Sequence, residues 1–158
     1  MVEALIRMLH PSWRAVPEVR VSRPASGVID LALVRASEGL LVATEVHSQI
    51  RRLEQQLRWA GLKSEGLPDT PLGAAVSADH GTVRVGRLLV LRSTASTRQL
   101  ARDFEATLGA AYPARTADVL DSLLRGGPWP GAGIVWMTID KGEAQLVRRR
   151  LAGVGLGR

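Results

Sequence analysis

The sequence contains no cysteine and few aromatic residues, namely one phenylalanine, one tyrosine and four tryptophans. The absence of cysteine excludes disulfides, thiolate zinc sites and a cysteine nucleophile. Because 46% of the residues are hydrophobic and only 4% are aromatic, aliphatic side chains must fill the core. A chain of 158 residues predicts one compact α/β domain over 1–158, with 151–158 as a frayed tail.

Long apolar runs are also missing, which predicts no membrane-spanning segment. The first residues, Met1 to Leu9, lack the basic start and small-residue cleavage site of a signal peptide, so we expect a cytoplasmic protein. The net charge is +6, from 21 lysines and arginines against 15 acids. A basic surface of this kind attracts nucleic acid or anionic membranes, although solubility explains an arginine-rich composition equally well.

Several familiar functional motifs are absent. The segment Gly131 to Gly133 lacks the third glycine and the preceding strand of a dinucleotide-binding fingerprint. No Walker glycine-lysine loop and no Gly-x-Ser-x-Gly elbow occurs. His10, His47 and His80 lie too far apart in sequence to form a zinc-binding histidine pair.

The hydrophobic pattern predicts a mixed central sheet flanked by helices. Helices are predicted over 2–9, 49–63, from Ser96 or Thr97 through Leu108, from Thr116 to Gly126 and over 143–151, and strands over 18–22, 28–34, 40–46, 87–91 and 134–139. The segment 64–86 is predicted mostly as loop, with a short element near 74–76 or 82–85 left open. Three successive strands favour an antiparallel meander, with a later strand added by a crossover.

Two acids interrupt the apolar strands of this meander. By the two-residue period of a strand, Asp30 shares a face with Val28 and Ala32, opposite Ile29, Leu31 and Leu33. On the following strand Glu45 and His47 share a face. Ser48 is predicted to cap the helix that follows. That helix buries Ile50, Leu53, Leu57 and Ala60 and carries a polar stripe of Gln49, Arg52, Gln56, Trp59 and Lys63.

The pair of acids suits metal-assisted phosphodiester hydrolysis. Magnesium prefers oxygen ligands and uses one or two carboxylates besides water and phosphate. Burying Asp30 and Glu45 costs several kcal/mol unless a metal or cation pairs with them. A positive group beside the second acid, either His47 or Lys63, orients the attacking water and stabilises negative charge.

Simpler structural roles remain open for each residue. Asp30 suits a turn-capping position at the start of a strand. Glu45 and His47 suit solvated positions at a strand end. The polar stripe is equally well explained as a solvated helix face. The two acids together are more specific than either alone.

These residues resemble the active-site hairpin of the PD-(D/E)XK restriction-endonuclease-like nucleases. In that pattern an acid on one strand precedes Glu-x-Lys on the next strand, and a helix packs behind; Asp30, Glu45, Val46 and His47 match it. The stretch is also similar to nuclease-like domains attached to some helix-turn-helix regulator-like proteins. In those domains Glu18 matches an acid on the preceding strand, and Lys63 matches a position on the helix.

The resemblance implies a restriction-endonuclease-like three-layer α/β fold and a Mg²⁺- or Mn²⁺-dependent nuclease. The metal ligands would be Asp30 and Glu45, the further catalytic groups His47 and Lys63, and the nucleic-acid path Glu18, Gln49, Arg52 and Gln56. DNA is favoured over RNA as the partner, and a homodimer is left open. Because His47 replaces the motif lysine, an alternative is an inactive nuclease-fold module for nucleic-acid binding or protein interaction.

Overall fold

The computed structural model describes residues 1–148, which form an α/β structure around one six-stranded sheet. The strands are β1 (Arg14–Val21), β2 (Gly27–Arg35), β3 (Leu40–His47), β4 (Arg84–Arg92), β5 (Ala132–Asp140) and β6 (Glu143–Leu146). The helices are α1 (Val2–Met8), α2 (Leu53–Gly66), α3 (Pro71–His80), α4 (Ala95–Asp103), α5 (Glu105–Ala111) and α6 (Thr116–Arg125), with 3₁₀ turns at Ala36–Glu38 and Leu67–Asp69. None of the helices described is long and apolar enough to cross a membrane.

The sheet is mixed, and its strands lie side by side in chain order. The first three form an antiparallel meander, as predicted. The chain then crosses over through α2 and α3, so that β4 runs parallel to β3. A second crossover through α4, α5 and α6 makes β5 parallel to β4, and β6 returns antiparallel along the edge.

Helices cover both faces of the sheet, and aliphatic side chains dominate the core between the layers. On one face α1 and α6 pack over strand residues such as Leu33 and Val42. On the other face α3 and the Leu67–Asp69 turn cover a cluster that includes Ala43, while α2, α4 and α5 cover one that includes Leu89. The predicted architecture of a mixed sheet between helices is therefore confirmed.

The face assignment predicted for β2 is wrong at Ile29. Leu31 and Leu33 pack under α1 and α6, but Ile29 packs with Ala32 and Val34 on the opposite side. The strand therefore exchanges its faces at Asp30. The neighbouring strand makes the same exchange, because Val16 and Val19, three residues apart, both pack on the second face.

Glu18 lies at the irregular point of β1. Its φ of 55° is in the left-handed region, which non-glycine residues seldom adopt. The paired residues Pro17↔Leu31 and Val19↔Ile29 flank it, so Glu18 sits across from Asp30. The two acids thus mark one local break that runs across the first two strands.

The predicted C-terminal helix over 143–151 is wrong where the structure describes it. Glu143–Leu146 is instead a strand paired with β5, closed by a turn in which Lys141 and Gly142 have positive φ. Alternating burial of Ala144 and Leu146 fits a strand of this kind. The rest of that helix from residue 149, and the frayed tail predicted over 151–158, lie outside the described residues.

Other boundaries also differ from the prediction. The segment 64–86 contains α3, which Thr70 caps by accepting a hydrogen bond from the Gly73 amide. Ser48 does not begin α2; the helix starts at Leu53, with Arg52 at its N-cap. The helix predicted to continue through Leu108 breaks at Phe104 into α4 and α5.

Candidate active site

The predicted acids lie on neighbouring strands where β2 and β3 stop pairing. The pairing runs from Arg35↔Leu40 to Leu31↔Thr44, so Asp30 and Glu45 occupy the next position of the same register. The Asp30 carboxylate does not point away from the strands. Its Oδ2 accepts a hydrogen bond from the Val46 amide at 2.8 Å, which holds it against the β3 backbone beside Glu45.

Glu45 is buried, with only 6% of its surface exposed. Its Oε2 accepts a hydrogen bond from the Lys63 ammonium at 2.6 Å, while Oε1 has no hydrogen-bond partner within residues 1–148. Burial raises the pKa of Glu45 above its usual 4.5; the Lys63 hydrogen bond and charge oppose this, and the Asp30 charge reinforces it. The site thus has one paired carboxylate oxygen and one buried oxygen that lacks a donor or cation.

Lys63 joins three elements at this point. It projects from the last turns of α2, and besides Glu45 it donates a hydrogen bond to the Val28 carbonyl at 2.7 Å. Gly27 leaves room for its stem, since a Cβ on that glycine would lie 3.0 Å from Lys63 Cδ. The helix therefore delivers a cation directly to the acid on β3.

His47 follows on the same strand face as Glu45. It borders a small enclosed void beneath α2, together with Gln56, Tyr112 and several apolar side chains. Burial lowers the pKa of His47 below 6.5; the Asp30 charge opposes the change and the Lys63 charge adds to it. His47 is therefore a neutral imidazole at pH 7, unlike the lysine of the motif it resembles.

Tyr112 is a residue of this site that sequence reasoning missed. It is 5% exposed and borders the same void as His47. The Arg87 guanidinium carbon lies over the ring of Tyr112, 5.3 Å from the ring centre. Burial raises the pKa of Tyr112 to about 12, so its hydroxyl stays protonated at neutral pH. The only available signal was that this is the sole tyrosine of the chain.

A cleft of about 490 Å³ opens beside Asp30 on the side of α1. Its lining residues are Met1, Val2, Glu3, Ile6, Pro17, Glu18, Asp30 and Val46. Asp30 and Glu18 therefore border this cleft, whereas Glu45 is held by Lys63 on the side of α2. The two carboxylates approach the break between β2 and β3 from these different directions.

The donors available to a metal ion are limited. Within the described part of the chain, no group of three or more histidine and acidic side chains converges as a metal site. Asp30 and Glu45 would supply at most two carboxylate ligands. Magnesium tolerates such a set, because water and substrate phosphate complete its shell. The unpartnered Oε1 of Glu45 is the oxygen that fits this role.

The predicted nucleic-acid path is divided between the two sides of the sheet. Glu18 is exposed beside the cleft. On the other side Gln56 is half-buried next to His47, and its Oε1 has no partner among residues 1–148. Gln49 is exposed in the loop that follows β3, and Arg52 is exposed at the N-cap of α2. The structure does not bring Gln49 into contact with the acids.

Comparison with known proteins adds no relative to this description. No protein-family model matches the chain, and no curated protein and no solved structure matches it. The function of the site must therefore be inferred from its own geometry.

Proposed function

We propose that this chain is a nuclease-like domain of the restriction-endonuclease-like fold that hydrolyses DNA phosphodiesters with a divalent metal ion. The observation that carries the proposal is the arrangement of Asp30, Glu45 and Lys63. Two acids occupy one register position beyond the last β2–β3 pair, and the ammonium is bonded to the second acid. This is the order of groups that the sequence resemblance implies.

Asp30 and Glu45 would hold Mg²⁺ or Mn²⁺ through carboxylate oxygens. The fit rests on Glu45 Oε1, which is buried and has no partner in the described residues, and on the adjacent Asp30 carboxylate. When bound, the ion polarises the phosphate and lowers the pKa of a water molecule. Asp30 keeps its Val46 hydrogen bond through Oδ2, which leaves Oδ1 for the ion.

Lys63 supplies the positive charge that the hairpin itself lacks. In the motif the lysine follows the second acid on the same strand; here the neutral His47 occupies that place. The ammonium from α2 lies within hydrogen-bonding distance of Glu45, where it stabilises negative charge that develops on the phosphate. A neutral imidazole at His47 accepts a proton from the attacking water.

A catalytically inactive DNA-binding module is the second candidate. The observation that favours it is that Asp30 Oδ2 and Glu45 Oε2 already have partners, a backbone amide and an ammonium. Two of the four carboxylate oxygens therefore need no metal ion as a partner. DNA binding would then rest on the excess of arginine over acids.

The test is a nicking assay on supercoiled DNA with Mn²⁺ or Mg²⁺. We expect Asp30→Asn and Glu45→Gln each to reduce the rate at least about 100-fold, while circular dichroism shows that both variants remain folded. Asp121→Asn is the matched control, because Asp121 lies on α6 in an exposed ion pair with Arg125. Salt-sensitive binding without cleavage favours the second candidate. A protein that neither binds nor cleaves DNA would contradict both candidates.

A further inference from the structure

Trp59 differs from the other tryptophans of the chain in its exposure. It is 44% exposed, whereas Trp13 and Trp136 are 6% and 5% exposed and Trp129 packs against the core. An indole is among the side chains that gain most from burial. Its exposed ring is therefore free to contact a ligand.

The position of Trp59 on α2 places it beside the candidate active site. Gln56 and Lys63 lie three residues before and four residues after it, so all three share one face of the helix. Gln56 borders the void with His47, and Lys63 bonds to Glu45.

Three arginines lie on α2 or just before it, close to Trp59 in the sequence. Arg51, Arg52 and Arg58 are exposed, and within residues 1–148 none of them forms an ion pair or a side-chain hydrogen bond. The chain as a whole carries a charge of +6. An exposed aromatic ring flanked by unpaired guanidinium groups is complementary to a polyanion that carries flat rings.

We propose that Trp59 is a base-stacking platform for single-stranded DNA, which the neighbouring arginines hold by its phosphates. The proposal rests on the nuclease-like function and narrows its substrate class. In a duplex each base face is covered by the next base pair, whereas an unpaired base offers a free π-face to an indole. The strand then runs along α2 toward Lys63 and Glu45.

Binding without metal tests the proposal, because it does not depend on cleavage. In EDTA, a fluorescein-labelled 20-nucleotide oligo(dT) is titrated with protein, and a duplex of the same length serves as comparison. We expect Trp59→Ala to weaken single-strand binding about tenfold and duplex binding much less. Trp59→Phe should retain most of the affinity. Phe104→Ala is the matched control, since Phe104 is 39% exposed between α4 and α5.

Tryptophan fluorescence gives a second, independent readout. Stacking of a base on the exposed indole should quench the emission of the native protein when unlabelled oligo(dT) is added, and Trp59→Phe should abolish this quenching. Failure to bind the single strand, or equal losses on both DNAs in Trp59→Ala, overturns the proposal. If metal-dependent nicking is observed despite such a result, the proposed nuclease function is retained and only the stacking proposal is overturned. A single-strand-selective loss without any nicking supports the platform alone.

Discussion

The ammonium nitrogen of Lys63 lies 2.6 Å from Oε2 of Glu45, and the two side chains are only 13% and 8% exposed. A buried ion pair of this kind gives little net stability compared with well-packed apolar residues, because both charges lose their hydration. Removing one partner is far more costly, since it leaves the other charge buried and unpaired. The pair therefore makes the fold depend on two residues that the proposed chemistry also needs.

Replacing Lys63 with methionine tests this dependence. We expect Lys63→Met to lower the free energy of unfolding at pH 7 by about 3–5 kcal/mol, as measured by urea denaturation. Adding Glu45→Leu in the same protein should recover most of the loss, because the unpaired carboxylate is then removed. Arg125→Met is the control: it breaks an ion pair whose side chains are 82% and 44% exposed, and should cost less than about 1 kcal/mol. Equal small losses in both single variants would contradict the assignment of a buried pair.

His47 should make the protein less stable in mild acid. Its pKa is lowered in the folded state by burial, so below about pH 6.5 the unfolded chain binds more protons than the folded one. Stability is therefore lost as the pH falls from 6.5 toward the lowered pKa. Glu45 acts in the opposite sense, because its raised pKa favours the folded state as the pH falls from that pKa toward 4.5.

The His47 contribution is isolated by comparison with His47→Gln. As the pH falls from 7.5 to 5.5, we expect the stability of this variant to rise relative to that of the native protein. The measurement is urea denaturation at fixed ionic strength. His80→Gln is the control, because His80 is an exposed histidine at the end of α3. A stability difference between native protein and His47→Gln that is flat with pH would count against a desolvated imidazole.

The register that sets Asp30 beside Glu45, and the contact of Lys63 with Glu45, were predictable because their determinants are local. A short turn between two apolar strands puts the acids side by side, and a helix that follows the second strand carries Lys63 back over it. The position of Tyr112 beside His47 was not predictable, since it depends on how α5 packs within the crossover between β4 and β5. The strand Glu143–Leu146 was mistaken for a helix for the same reason: its pairing with β5 outweighs the local pattern.

Glu18 should be a position where stability is sacrificed for function. A non-glycine residue in the left-handed region costs about 1–2 kcal/mol, and such residues concentrate at functional sites. After the entropic cost of glycine, we expect Glu18→Gly to raise the free energy of unfolding by about 1 kcal/mol in thermal or urea denaturation. Lys141 has a φ of 48° in the β5–β6 turn. Lys141→Gly should therefore raise the free energy of unfolding by a similar amount.

Glu18→Ala separates the backbone from the carboxylate at this position. Alanine keeps the unfavourable φ and removes only the acid, so it should not stabilise the protein. If the carboxylate takes part in the proposed reaction, both Glu18 variants should lose nicking activity to a similar extent. An unchanged or lower stability of Glu18→Gly would show that the surrounding strands, and not the residue, set the energy of this conformation.

Arg52 offers a test of whether α2 is built for binding at the cost of stability. It occupies the N-cap of the helix, where no side chain forms a capping hydrogen bond in the described residues, and its positive charge opposes the helix dipole. Aspartate at this position would accept a hydrogen bond from a free amide of the first turn. We therefore expect Arg52→Asp to stabilise the protein by about 1 kcal/mol in urea denaturation and to weaken oligo(dT) binding in EDTA. Arg125→Asp on α6 is the control for the charge change, and should leave binding nearly unaffected because α6 packs on the opposite face of the sheet from α2. A variant that is more stable and binds as well as the native protein would show that the exposed arginine has no part in holding DNA.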